Sequence, residues 1–195
     1  MLTYPLDLSF KIATIGTRVR VTDAASRQVA YLRKKKFRLR EDVRIYEDED
    51  QRRQLFRLRA DRVVDFGASY AVSGPDGRPL GAVRQRGVRS IWKSSYEVLN
   101  PNGKTIGTIH EENPFVKVLD SMAEVLPFAD ALGGLFFNPA YLAELGGEPV
   151  LRMKKERSVF ESRFRLERLG DLSEDEEELL LASFMMVLLL ERDRG

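Results

Sequence analysis

The stretch Asp171-Leu-Ser-Glu-Asp-Glu-Glu-Glu178, followed by Leu179-Leu-Leu-Ala-Ser-Phe-Met-Met-Val-Leu-Leu-Leu190, decides the fold. Its second half carries no charge, and Ser183 is its one hydroxyl residue. A helix that is apolar on every side has to be surrounded on every side. Twelve residues of helix rise about 18 Å, short of the roughly 30 Å hydrocarbon core of a bilayer. The run therefore predicts a helix enclosed by protein rather than a transmembrane span. Its start is marked: Ser173 followed by Glu176 forms a capping box, and Glu174, Asp175 and Glu177 suit the positive end of the helix dipole. The predicted helix covers 173–192. The acidic run has a structural cause before any metal is invoked.

What must surround that helix is written upstream as a repeat. Tyr70-Ala-Val-Ser-Gly-Pro-Asp-Gly-Arg-Pro-Leu-Gly-Ala-Val83 recurs as Tyr96-Glu-Val-Leu-Asn-Pro-Asn-Gly-Lys-Thr-Ile-Gly-Thr-Ile109. Each copy reads as strand, turn, strand, with Pro-Asp-Gly or Pro-Asn-Gly supplying the preset φ and the positive φ of a tight turn. Gly81 and Gly107, four residues past the turn glycines, fall inside a strand and mark a bulge or a close backbone approach. Weaker echoes occur at Val19–Tyr31 and Tyr141–Met153. Further strands are predicted at Leu8–Ile15, Arg18–Thr22, Gln28–Leu39, Val43–Glu47, Gln54–Ala60, Val150–Lys155 and Ser158–Leu166. In Gln54–Ala60, Phe56 and Leu58 share one face while Arg57 and Arg59 take the other. A succession of hairpins with edges to protect calls for closure into a barrel. Asn113–Leu142 departs from this plan. Asn113 caps, Pro114 opens, and Phe115, Val118, Leu119, Met122, Val125 and Leu126 keep helical spacing, giving a predicted helical insertion at 113–142.

Tandem hairpins of this form, with the connecting Ser90-Ile91-Trp92-Lys93 and the C-terminal apolar helix Glu177–Glu191, resemble the tubby C-terminal-like superfamily. The likeness is to its LURP-one-related and phospholipid-scramblase-like branch. The resemblance implies a mainly β, α+β fold, a closed antiparallel barrel of about twelve strands around one central hydrophobic helix. It implies a single domain over 1–195. Scramblases carry an acidic calcium-binding segment, but Asp171–Glu178 lacks the Asp-x-[Asp/Asn]-x-[Asp/Asn]-Gly spacing of a calcium loop. Their palmitoylated cysteine segment is absent too, so scrambling activity is not implied.

Composition narrows function further. The chain has no cysteine and one histidine, His110, which removes thiolate chemistry, disulfides, most zinc sites and Ser-His-Asp catalysis. No catalytic residues, metal or cofactor are expected, and the chain reads as a non-enzyme. The N-terminal residues lack a basic region followed by an apolar one, so a cytoplasmic protein is expected, with peripheral association at a membrane. The net charge is only +2, but 23 of the 32 basic residues are arginine, so clustering has to carry any claim of anion binding.

Two clusters qualify. In Arg33-Lys-Lys-Lys-Phe-Arg-Leu-Arg40, a strand would project Lys34, Lys36, Arg38 and Arg40 on one face at intervals of about 6.6–6.8 Å, with Phe37 and Leu39 inward. Such a stripe suits phosphates; the plainer reading is a solvated face whose lysines discourage edge pairing. Arg84, Arg86, Arg89 and Lys93 lie beside Trp92, which could sit at a lipid head-group layer or simply pack on the barrel. Tubby-type domains bind phosphoinositide head groups, so the resemblance implies an anionic membrane surface or phosphorylated ligand as partner. The alternative is a protein-interaction or stress-response scaffold using the apolar Phe128–Phe137. Nucleic acid is disfavoured.

Overall fold

The computed structural model describes residues 2–13, 16–35, 42–60, 69–86, 95–112, 140–156 and 161–192. Twelve strands precede one helix. They are β1 (Leu6–Ala13), β2 (Gly16–Thr22), β3 (Gln28–Lys35), β4 (Asp42–Tyr46), β5 (Gln54–Ala60) and β6 (Ser69–Ser73). After these come β7 (Pro79–Gln85), β8 (Ser95–Leu99), β9 (Thr105–Glu112), β10 (Ala140–Leu145), β11 (Glu148–Glu156) and β12 (Ser162–Arg168). Every strand pairs antiparallel with its neighbours in the chain, and β1 closes onto β12 from Leu6↔Leu166 to Phe10↔Ser162. The sheet is a closed barrel, so it has no edge strand to protect.

Alternation builds the wall. In β2, Val19 and Val21 are fully buried while Arg18 and Arg20 are exposed. In β5, Phe56 and Leu58 are buried, Arg59 is exposed and Arg57 half-exposed, as the sequence pattern requires. The inward residues of the strands form one core cluster with α1 (Glu174–Arg192), which the barrel encloses. No residue from Leu179 to Leu189 is more than 5% exposed. A helix with side chains is about 10–12 Å across, the right size for a lumen between the side-chain-filled eight-stranded barrel and the open porin. Each fully buried Leu, Met or Phe contributes roughly 1.5–3 kcal/mol. Ser183, the one hydroxyl in the run, satisfies itself by donating to Leu179 O at 2.7 Å. No helix among the described residues is long and apolar enough to cross a membrane.

The repeat extends further than its two legible copies. Gly77 N donates to Gly74 O at 3.1 Å and Gly74 N to Arg78 O at 2.8 Å. The same pair of bonds joins Asn100 to Gly103 and Lys104 (2.9 and 2.9 Å), and Asp23 to Ser26 and Arg27 (2.8 and 2.9 Å). Positive φ recurs at Ser26 (61°), Gln51 (59°), Gly77 (83°) and Gly103 (77°), evenly spaced along the chain. Each hairpin also shifts register just before its turn, at Val21/Thr22, Ile45/Tyr46, Val72/Ser73 and Val98/Leu99. Ser26 leaves its copy a weak echo and Gln51 hides another, because neither is the glycine that marks such a turn.

Several boundaries differ from expectation. β10 begins at Ala140, so 140–142 belong to the sheet and not to the predicted insertion; the pairing of Ala140 with Glu112 and Lys154 draws them in. Residues 113–139, with Phe128–Phe137, lie outside the described residues. β1 starts two residues earlier than the alternation suggested, at Leu6, because β12 pairs with it there. β12 runs on to Arg168, opposite Leu151. Within the expected strand Gln28–Leu39, the described part ends at Lys35.

Candidate functional site

The alternation of β3 fixes which of its residues face out. Ala30 and Leu32 belong to the core, and Arg33 is exposed. Lys34 follows in the ladder opposite Thr17, at the register parity of Ala30 and Leu32 and not of Arg33, so the outward position that the sequence pattern assigned to Lys34 belongs to Arg33. The Lys34 side chain lies outside the described residues, as do Lys36, Arg38 and Arg40. Of the second cluster, Arg84 and Arg86 are described, whereas Arg89, Trp92 and Lys93 are not. Arg84 Nε donates to Glu97 Oε2 and Arg86 Nε to Glu97 Oε1, each at 2.9 Å. The hydrogen bond from Arg84 is the main reason the Glu97 carboxyl lies below its usual range. One carboxylate therefore bridges both arginines, and the group presents one net positive charge instead of two. β3 and β7 both run away from the hairpin turns, so the two basic segments that follow Lys35 and Gln85 leave from the same rim.

The outer wall is otherwise a lattice of ion pairs. Arg57 donates to both oxygens of Asp42 at 2.9 and 3.0 Å, and Arg44 joins it at 3.2 Å. The bond from Arg57 leads the causes that hold Asp42 below the ordinary carboxylate range. Arg165 binds Asp7 at 2.9 Å, Lys154 binds Glu167 at 3.1 Å, Arg163 binds Glu161 at 2.8 Å, and Arg20 meets Glu49. Exposed pairs of this kind add only about 0–1 kcal/mol each, but they decide which charges remain available.

Three described arginines stand outside that lattice. Arg18, Arg33 and Arg59 are exposed, and none has a carboxylate within ion-pair distance among the described residues. They sit on β2, β3 and β5, towards the rim opposite the hairpin turns. Arg18 is the direct cross-strand partner of Arg33 on one side and of Lys11 on the other. One step beyond the Leu32↔Ile45 pair, Arg33 is followed around the wall by Arg44, whose own partner is Arg57. Sequence inspection along β3 missed this row because it runs across strands.

The other end of the barrel is acidic and already engaged. Ser173 N and Oγ donate to Glu176 Oε2 at 2.9 and 2.6 Å, closing the capping box. Arg78 binds Asp175 at 2.8 Å and approaches Glu178 at 3.8 Å. Glu177 is buried and accepts from Leu2 N at 3.1 Å and Arg168 Nη1 at 3.3 Å. Arg168 also donates to the Gly170 and Leu172 carbonyls at 3.0 and 3.3 Å. Burial first, and the Glu177 charge second, hold the neighbouring Tyr4 hydroxyl protonated well above its usual range. These groups close the mouth through which α1 enters. His110 sits half-buried on β9 opposite Ser95 and Leu142. Among the described residues, no three His, Asp or Glu side chains gather in a way that could hold a metal ion. Comparisons of the chain with family models, with curated proteins and with solved structures each find no match.

Proposed function

We propose that this chain is a tubby-like binding module of the LURP-one-related and scramblase-like kind, which docks reversibly on anionic, phosphate-bearing head groups. The observation that carries this reading is the filled barrel. A closed barrel can hold a small ligand in its lumen, but here α1 occupies it, with Phe184, Met185 and Met186 fully buried. Any ligand then meets the outer wall, and that wall is rich in arginine. Cations on paired strands are held in place before the ligand arrives, which lowers the ordering cost of binding. Phosphate contact through them is charge-assisted and needs no covalent chemistry. In this reading the basic run Arg33–Arg40 supplies one set of contacts, through Arg33 and the cations that follow Lys35, and Arg84, Arg86, Arg89 and Lys93 a weaker one, since Glu97 shares its charge with two of them. The protein would visit a cytoplasmic membrane surface rather than cross it with a helix.

Sedimentation with vesicles tests this. Binding to vesicles containing a phosphoinositide, weakened by added salt and absent on neutral vesicles, is the expected result. Equal and negligible sedimentation with both vesicle types at low ionic strength overturns the proposal.

A further inference from the structure

We propose that the cross-strand row Lys11–Arg18–Arg33 is the seat of a phosphate-bearing anion, with Arg18 and Arg33 forming the clamp. The inference rests on the anion-binding reading above and assigns it to residues that no strand-wise inspection selects.

Like charges placed directly opposite on neighbouring strands destabilise a sheet. Here two such pairs occur in succession, Lys11↔Arg18 and Arg18↔Arg33. No carboxylate among the described residues relieves the second of them, Arg18↔Arg33. Both oxygens of Asp42 are taken by Arg57 and Arg44. Glu161 Oε2 approaches Lys11 at 3.8 Å while Arg163 holds the other oxygen at 2.8 Å, so Lys11 is partly countered, although its side chain remains 65% exposed. The arginine pair Arg18–Arg33 has no carboxylate among the described residues, on a wall where most described arginines have one, and an anion from outside would complete it.

The geometry suits one phosphate group between two arginines. Adjacent strands lie about 4.7–4.9 Å apart, so two guanidinium forks on directly paired residues can converge on the oxygens of one phosphate. Both arginines are anchored from below, since Val19 and Leu32, the next residues of β2 and β3, are 0% and 1% exposed in the core. Arg59, which also has no carboxylate partner among the described residues, lies on the same wall and extends the positive field for an anion with several phosphates. The wall of a closed barrel curves outward, and that favours a multiply charged anion resting on a surface over a small molecule enclosed in a pocket.

The test is calorimetric titration of the full chain with inositol hexakisphosphate, alongside sedimentation with phosphoinositide vesicles. Wild type is compared with R18Q/R33Q and with R52Q/R53Q, a pair that loses the same charge from a turn at the opposite rim. The clamp predicts at least a ten-fold loss of affinity in R18Q/R33Q and less than a two-fold change in R52Q/R53Q. It also predicts that R18Q/R33Q melts no lower than wild type, because a repulsion has been removed. R18K/R33K, which keeps the charges but loses the forks, should fall between wild type and R18Q/R33Q. Loss in both assays identifies a head-group site, and loss in the calorimetric assay alone identifies a site for a free phosphorylated anion. If wild type binds and the two glutamine variants weaken equally, the row is not the seat, while the anion-binding reading stands. If wild type binds neither probe, that reading fails and the row fails with it.

Discussion

Gly81 of β7 lies directly under Leu179 of α1: a Cβ built on it would stand 2.9 Å from Leu179 Cδ2 and collide with the Leu99 carbonyl oxygen of β8. Its φ of 147° is a second obstacle to any other residue. Gly107, its counterpart in the second repeat, meets the Glu144 carbonyl oxygen in the same way, with Leu145 Cδ2 at 2.6 Å. These glycines let neighbouring strands and the helix approach where the hairpin is bulged. Gly81→Ala is therefore expected to cost about 1–3 kcal/mol, through overpacking against backbone that cannot move aside. Gly77→Ala, at a turn position with open space around it, should cost less. Denaturant melts of the two variants decide the matter; equal losses would contradict the close-approach argument.

The enclosed helix is the core of the domain. Phe184→Ala removes a fully buried ring from the centre of the barrel and should cost roughly 3–5 kcal/mol. Deleting Glu177–Gly195 should abolish the cooperative melt altogether, because the inward faces of the strands lose their common partner. A truncated chain that stays compact and monomeric by sedimentation and keeps its near-ultraviolet dichroism would refute this.

Arg168 and Glu177 tie the end of β12 to the first turns of α1. The Glu177 side chain is 4% exposed and that of Arg168 20%. Glu177→Ala strands a guanidinium and the Leu2 amide, so a loss of about 2–4 kcal/mol is expected. A double-mutant cycle with Arg168→Met should return a favourable coupling, measured as the shortfall of the double variant from the sum of the singles. Additive losses would mean that the two residues act independently.

Acid should weaken the fold through carboxylates in the wall. Asp42 and Glu97 are held below their ordinary values, led by hydrogen bonds from Arg57 and Arg84 respectively. Burial pushes Asp23 upward, but bonds from the amides of Arg27 and Ala25 and from the Arg27 guanidinium outweigh it and leave that carboxyl low as well. A depressed carboxylate stabilises the folded state above its unfolded pKa, about 3.9 for Asp and 4.3 for Glu, and loses that contribution as pH falls through the folded value. Glu178 has the opposite sign, since burial raises it; its small penalty is relieved as pH falls towards the ordinary range. The melting temperature should thus be flat or rise slightly from neutral pH to about 5 and fall below about 4. Asp42→Asn should flatten the acid limb. A melting temperature that keeps climbing to pH 3 would show the sign to be wrong.

How far the sequence reaches is clear from particular residues. Pro75-Asp76-Gly77 and Pro101-Asn102-Gly103 announce their turns, whereas Ser26 and Gln51 occupy the same left-handed position without advertising it. The helix start at Ser173 and Glu176 is legible because a capping box is contained within four residues. The fate of Arg84 is not, because the partner that fixes it, Glu97, comes 13 residues later on another strand.

By itself, then, the sequence determined the local units: alternating strands, tight turns, a capped helix apolar all round, and hence a barrel that has to enclose it. These follow from periodicity and turn chemistry acting over short windows. Only the tertiary structure decided which charges remain free. That depends on register, since sliding β3 by one residue against β2 would turn every side chain to the other face. It depends also on cross-strand neighbours, which set Arg57 against Asp42 and Arg18 against Arg33. Pairing between strands is a long-range property, and an arginine's neighbours in the chain do not report it.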